Sequence, residues 1–336
     1  MDIVRRKNKD SFFYVNTKTR KRVSKRIINR IKSLRIPPAY TRVRISKNAS
    51  NKIQAVGIDD KDRKQYIYNK KYIERQSEIK FEELISFGKK IKRIRHDVLE
   101  NLKKCSLNKK SNISDKTCII SLILYLIDKC NFRVGNEKYK KLYNSYGVTT
   151  LNKKHFSLQD KTIKIKFKGK KGVINESKLE NLLVIDLIKE LFKCNHNNHY
   201  IFCYKEGNVT HRVTEKHIND FLKKYDNSLS VKMFRTWSAN YILMKKILSY
   251  PLPESNSEAS KNIRSIIKEA AEQMHHTGTV SKKSYMNNKI IDLYLENPDK
   301  FKKIVDNFRN DAGNLPDVNA LLNKFLQHFC LEKNNN

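Results

Sequence analysis

His276-Thr277-Gly278-Thr279-Val280-Ser281-Lys282-Lys283-Ser284-Tyr285, near the carboxyl end of the chain, sets a histidine, a turn of small residues, a basic pair and a tyrosine in a row. The tyrosine then enters an apolar run, 286–295, whose spacing predicts a helix. A phenol ionises near pH ~10 in water. It attacks phosphorus at neutral pH only where cations stabilise both the phenolate and the charge of the phosphorane. Those cations have to come from elsewhere, so the fold must carry distant arginines and lysines to Tyr285.

The region leading to that stretch reads as mainly helical, with apolar periodicity over 116–131, 179–192, 217–225, 236–248 and 261–274, and a last helix expected over 317–331. Ser255-x-x-Glu258 offers a capping box after the 251–257 loop. One hairpin interrupts the helices. Over 162–170, Ile163, Ile165 and Phe167 alternate with Lys164, Lys166, Lys168 and Lys170, so the apolar face packs and the lysine face meets solvent or phosphate. Gly169 and Gly172 bracket its turn.

The amino half has a different texture. A strand is expected at 12–16, and a helix at 24–34 through Ile27, Ile28, Ile31 and Leu34, stopped by Pro37-Pro38. Alternation at 42–46, 53–58 and 65–68, with turn clusters between, predicts a small antiparallel sheet. An amphipathic helix over 81–102 follows, and then a basic stretch without periodicity. The expected organisation is a β-rich domain over 1–102, a basic linker over 103–115 and a larger helical domain over 116–336.

With 336 residues, 39% of them hydrophobic, the chain can build two ordinary cores. Lys and Arg number 71 against 34 Asp and Glu, a net charge of +37 spread along the whole length. Such an excess destabilises the compact state unless an anion offsets it, which favours a polyanionic partner over a merely solubilising surface. Nucleic acid is that partner, bound largely through counterion release and therefore sensitive to salt. The six cysteines form no CxxC pair and read as reduced thiols. Cys194, His196, His199 and Cys203 lie close enough to suggest zinc, but Cys203 falls in an apolar run that reads as a strand, so packing is the better account. The amino terminus has no apolar h-region, and the greasiest run, 118–127, is too short to span a bilayer, so a soluble protein without a membrane partner is expected.

Two further fragments carry the expected cations. Asn131-Phe132-Arg133-Val134-Gly135-Asn136-Glu137-Lys138-Tyr139 follows the most apolar helix, and Gly135 relaxes the backbone beside an arginine able to fork two donors onto a phosphate. Val231-Lys232-Met233-Phe234-Arg235-Thr236-Trp237-Ser238-Ala239-Asn240 opens a helix with another arginine. Taken alone, the first fragment reads more readily as a surface arginine and the second as a helix-start arginine with Trp237 as core filler.

In order, Arg133, Lys170 at the hairpin tip in Phe167-Lys168-Gly169-Lys170, Lys232-x-x-Arg235, and His276 nine residues before Tyr285 together resemble the type IB DNA topoisomerases. Ile36-Pro37-Pro38-Ala39-Tyr40-Thr41, Ile53-Gln54-Ala55-Val56-Gly57 and Asp62-Arg63-Lys64-Gln65-Tyr66-Ile67-Tyr68 are similar to the small amino domain of the poxvirus, giant-virus and bacterial members. The resemblance runs over roughly 36–290. It implies an α+β architecture: a small β-rich amino-terminal domain and a larger, mainly α-helical catalytic domain of the tyrosine recombinase and topoisomerase IB type.

Carried over residue by residue, the resemblance makes Tyr285 the nucleophile of a 3′-phosphotyrosyl intermediate. Arg133, Arg235 and His276 would hold the non-bridging oxygens, Lys170 would protonate the leaving 5′ oxygen, and Lys232 would be a second cationic proton source. His275 precedes His276, and the spacing to the tyrosine selects His276. Tyr139 and Asn240, with Lys64, Gln65, Tyr66 and Tyr68 in the amino half, would contact DNA. Where poxvirus members carry a lysine three residues after the first catalytic arginine, this chain has Asn136, which bears on base contacts and site preference. No metal, cofactor or nucleotide is implied, and no GxxxxGK[ST] loop occurs. The expected partner is duplex DNA, clamped by a monomer, inside the cell and, for a viral protein, in the virion core and at cytoplasmic replication sites. A tyrosine recombinase is the nearest rival, though it usually has His-x-x-Arg where this chain has Lys232-x-x-Arg235. A non-enzymatic DNA-packaging protein is the rival that charge alone permits.

Overall fold

The computed structural model describes residues 1–9, 11–107, 114–159, 161–194, 200–309 and 315–334, with only the backbone described at 194 and 331–334. Two compact units result, Met1–Lys80 and Phe81–Asn336.

The first unit is an antiparallel sheet of β1 (Ile3–Asn8), β2 (Ser11–Asn16), β3 (Thr41–Ile45), β4 (Ile53–Ile58) and β5 (Lys64–Tyr68), in the order β2-β1-β3-β4-β5. The alternation of Val43 and Ile45 with Arg42 and Arg44 turns one face inward. That face packs with Ile31 of α1 (Lys25–Ser33), Ile3 and Ala55 into a small core. Strand β1 escapes a pattern reading because Arg5-Arg6-Lys7 mask it; pairing with β2 along six residues makes it a strand.

The second unit begins inside a helix. Lys70–Leu107, α2, runs 38 residues, and Leu84, Phe87, Ile91, Ile94, Val98, Leu102 and Cys105 form its buried stripe. The three- and four-residue steps of that stripe keep it on one face. All seven belong to the core of the second unit, where the Phe87 ring meets Phe234 edge-on at 4.9 Å. The domain boundary expected at 102–103 therefore falls instead between Lys80 and Phe81. The basic composition of the expected linker concealed helix: Lys103 and Lys104 face solvent while Leu102 and Cys105 stay buried. Residues 108–113 of that linker lie outside those described.

Asp115 caps α3 (Lys116–Cys130), accepting from the backbone N–H groups of Thr117 and Cys118 at 2.7 and 3.0 Å. Helix α3 is buried nearly all round, the mark of an interior helix. After it come α4 (Glu137–Tyr143) and a three-stranded antiparallel sheet, β6 (Phe156–Leu158), β7 (Ile163–Lys168) and β8 (Ile174–Leu179). Ile163, Ile165 and Phe167 are buried as the alternation requires. On the outer face Lys164 and Lys166 meet Glu176 of β8 at 2.6 and 3.0 Å.

The remaining elements are α5 (Leu182–Cys194), the hairpin β9 (Cys203–Glu206) and β10 (Val209–Arg212), α6 (Glu215–Lys223), α7 (Lys232–Ser249), α8 (Asn256–Gln273), α9 (Gly278–Ser284), α10 (Asn288–Glu296), α11 (Pro298–Asp306) and α12 (Val318–Asn334). Ser255 caps α8 by accepting from Glu258 N–H at 3.2 Å, but the Glu258 carboxylate accepts from Glu254 N–H rather than returning to Ser255. Trp237 on α7 is core, with its indole N–H donating to Asn319 of α12 at 3.0 Å. No helix is long and apolar enough to cross a membrane among the described residues. The architecture is α+β, a small sheet unit followed by a larger helical one.

Candidate active site

Arg235 lies in the first turn of α7 and is 5% exposed. Its guanidinium donates to the carbonyl of Asn131, which caps α3, and at 2.7 Å to that of Met274, which caps α8. A buried cation is tolerable there because two helix carboxyl ends present partial negative charge to it. His275, in a left-handed conformation (φ 53°), places Nε2 3.0 Å from the Cys130 carbonyl and helps close the same junction.

Two residues beyond Asn131 comes Arg133, in a loop held by backbone. Its carbonyl accepts from Val148 N–H at 2.9 Å, and that of Val134 from Thr149 N–H at 2.7 Å. Gly135 (φ +96°) and Gly147 press together so closely that a Cβ on Gly147 would lie 2.5 Å from Gly135 Cα. Only glycines allow that approach, and it fixes where Arg133 leaves the surface.

Tyr285 does not enter a helix, as its sequence context suggested; it ends α9, and a break precedes α10. The stretch before it, expected as a turn, is itself helical, with Thr277 at its amino cap. Asn240, expected to touch DNA, is fully buried and bonded to the backbone of its own helix and of the segment around Tyr285. Its amide donates to the carbonyls of Tyr285 and Thr236, each at 2.8 Å, and its oxygen accepts from Asn287 N–H at 2.7 Å. Buried in this way, that side chain presents no surface to a nucleic acid. Replacing Asn240 by Ala leaves buried polar groups unpaired, which should cost about 1–3 kcal/mol. We expect denaturant unfolding to show that loss, and single-turnover cleavage to slow at saturating duplex while affinity stays unchanged.

The ring of His276 lies against that of Tyr285, with centroids 4.9 Å apart and planes 9° apart, and Ser281 Oγ sits 2.9 Å from His276 Nδ1. The Arg235 guanidinium carbon is 5.4 Å from the Tyr285 ring centroid. Burial pushes the phenol pKa up, but Arg235 and Arg133, both reaching towards its oxygen, outweigh that and hold it below the ordinary value of 10. Burial, with the Arg133 charge adding to it, brings the Arg235 guanidinium down to about 10. Burial and the same two arginines lower His276 to about 4, so its imidazole is neutral at physiological pH. Arg235 Nε and His276 Nε2 are buried with no hydrogen-bond partner.

The cations at the phenol thus come from Arg133 and Arg235, while the adjacent Lys282 and Lys283 face solvent. Lys170 stands exposed at the β7–β8 tip, and Lys232 is 79% exposed with Nζ 3.4 Å from Glu215; neither is bonded to the cluster. Tyr139 is exposed on α4. In the first unit Lys64, Tyr66 and Tyr68 share the outer face of β5, and Lys64 Nζ lies 5.5 Å from the Tyr66 ring. Gln65 lies on the opposite face, its amide donating to Asp59 at 2.8 Å, so strand alternation separates it from the other three. Tyr72, which a pattern reading passes over, continues the Tyr66–Tyr68 stack, with Lys52 Nζ 4.5 Å from its ring. Among the described residues no group of three metal-binding side chains occurs; His196 and His199 and the side chain of Cys194 lie outside them.

The catalytic-core model of eukaryotic DNA topoisomerase I matches residues 69–312, and the amino-terminal-domain model of bacterial DNA topoisomerase IB matches 11–59. The DNA topoisomerase 1B of Acanthamoeba polyphaga mimivirus is 35% identical over 306 residues, 89% of each chain. The chain belongs to the type IB DNA topoisomerase family. The poxvirus type IB enzymes are more distant: that of Vaccinia virus (strain Copenhagen) is 26% identical over 74% of each chain. A solved XerH site-specific recombinase bound to its difH substrate overlaps at a TM-score of 0.37 and 15% identity, covering 63% of this chain and 50% of that one, too remote to bear on the reaction.

Proposed function

We propose that this type IB chain relaxes supercoiled duplex DNA by reversible single-strand cleavage centred on Tyr285. The observation that carries this reading is the convergence of two arginines and a neutral histidine on one half-buried phenol, with Arg235 Nε and His276 Nε2 buried and unpartnered beside it. A phosphodiester at that point would satisfy the Arg235 donor and, in the tautomer in which Ser281 donates to Nδ1, the His276 Nε2–H as well. In the proposed step the phenol oxygen bonds to phosphorus, its proton passes to solvent, and the bond from phosphorus to the 5′ oxygen breaks. Lys170 supplies the proton that oxygen needs, and Lys232 serves as a second cationic source. Arg133, Arg235 and His276 stabilise the non-bridging oxygens. The reverse reaction, with the 5′ hydroxyl attacking the phosphotyrosine, reseals the strand after rotation.

The bond energy stays in the phosphotyrosine, so no nucleotide is needed, and the fixed cations do the charge neutralisation. Plasmids of either supercoil sign should therefore relax in EDTA without ATP. Failure to relax either sign, with intact binding in a gel shift, would overturn the reading, and strand exchange between duplexes would replace it with a recombinase. Affinity should fall steeply with salt, as a +37 chain binding phosphates requires. Lys64, Tyr66 and Tyr68 in the first unit and Tyr139 in the second are proposed as duplex contacts. We further propose that the active species is a monomer clamping the duplex, working inside the infected cell and in the virion core, a placement that the mimivirus and poxvirus relatives support.

A further inference from the structure

Helix α4 has seven residues and buries none of them, so neither propensity nor apolar packing accounts for its being folded. Its ends are secured locally. Asn136 accepts from Lys138 N–H at 2.9 Å, and Asn144 closes the other end in a left-handed conformation. Between the caps, only Glu137 and Lys140 are drawn inward, one helical turn apart. Both meet Tyr200. The Tyr200 hydroxyl donates to the Glu137 carboxylate at 2.6 Å and accepts from Lys140 Nζ at 2.5 Å. Arg212, at the end of β10, donates to the same carboxylate, and its guanidinium carbon lies 4.9 Å from the Tyr200 ring. Lys140 Nζ lies 4.2 Å from that ring. Charge-assisted bonds that chain together out of full solvent exposure are the stronger kind.

The other side of α4 is open. Tyr139, Leu142 and Tyr143 are 56, 58 and 39% exposed, and the two tyrosine rings stack at 6.1 Å, with exposed Lys138 and Lys141 beside them. An aromatic and apolar face rimmed by lysines, on a helix six residues from Arg133 to Tyr139, suits duplex DNA. A helix fits the major groove, lysines meet phosphates, and apolar groups meet thymine methyls.

The geometry points to Glu137, Tyr200 and Arg212 as positioning residues: a latch that holds α4 folded and aimed before DNA arrives. It rests on the DNA-relaxing reading above. Because the Arg133 loop is fixed separately by Val148, Thr149 and the Gly135–Gly147 contact, the latch acts on capture of the duplex and leaves the chemical step alone. If the competent pose is only fractionally populated without the latch, apparent affinity falls by that fraction.

The test is single-turnover cleavage of a short duplex against enzyme concentration. It compares wild type, Glu137→Gln, Tyr200→Phe, Arg212→Gln, the Glu137→Gln/Arg212→Gln double variant and Arg133→Ala, with thermal unfolding run alongside. Each single latch variant should raise the half-saturating concentration about tenfold, with the plateau rate within about twofold of wild type. The double variant should be no worse than the worse single, because both remove one coupled interaction. Arg212→Lys should recover part of the loss. Unchanged half-saturation in all three single variants, a lower plateau alone, or additive losses would each overturn the latch. Arg133→Ala separates the two ideas. It should lose the plateau; cleavage at the wild-type rate would sink the functional reading, while the concentration dependence of the other variants still decides the latch.

Discussion

Tyr285→Phe should abolish covalent adduct formation and plasmid relaxation, a loss of about 10⁴-fold or more, with duplex affinity within about twofold of wild type. The substitution removes one oxygen and keeps the ring. The stack on His276 and the Asn240 bond to the residue 285 carbonyl do not involve the phenol oxygen, and Arg235 stays anchored on the Asn131 and Met274 carbonyls when that oxygen is lost. Folding should therefore be close to unchanged. Chemistry should not, since the substitution removes the one oxygen that Arg133 and Arg235 act on. A denaturing gel detects the protein–DNA adduct, and a shift assay reads binding separately. A 3′ adduct formed by the Phe variant would mean that another of the sixteen tyrosines is the nucleophile.

Where the sequence was explicit, the physics is local. The alternation of Ile163, Ile165 and Phe167 with lysines dictates a half-buried strand whatever surrounds it, and the unbroken apolar run of α3 dictates an interior helix. Where it was mute, the deciding contact is long-range. Nothing near Lys103-Lys104 announces that Leu102 and Cys105 continue a stripe begun at Leu84, so the basic stretch looked like a linker. Asn240 reads as a polar residue near a basic helix; only its bonds to Tyr285 and Asn287, more than forty positions away, reveal a brace. Gln65 sits among three residues of the opposite strand face and looks like one of them until the alternation is followed. At the site itself, residue order pointed to Arg133, Arg235 and His276, whose meeting at Tyr285 depends on three helix ends joined by one buried guanidinium. The latch on α4 had no signal at all, because Glu137, Tyr200 and Arg212 are scattered and individually ordinary.

Lys170→Ala should slow cleavage of an ordinary duplex by about 10²–10⁴-fold, the usual worth of a general acid. The residue stands free at a tip that is itself well defined. Gly169 N–H donates to the Val173 carbonyl at 2.7 Å, and buried Asn175 packs so tightly beneath that a Cβ on Gly169 would lie 2.2 Å from its amide nitrogen. A flexible ammonium on a rigid tip can reach a phosphate without moving the hairpin. Whether it acts as an acid or only as a charge is separable by changing the leaving group. An alkoxide needs a proton, since even water has a pKa of about 15.7. A thiolate, with a parent pKa near ~8.5, leaves without one. On a duplex whose bridging 5′ oxygen is replaced by sulfur, Lys170→Ala should therefore cleave nearly as fast as wild type. Arg235→Ala should stay slow on the same duplex, because charge on the non-bridging oxygens is unchanged by the leaving group. If the Lys170 variant is equally slow with oxygen and sulfur, its ammonium acts through charge, and the proton for the 5′ oxygen must come from another group, with Lys232 the next to substitute.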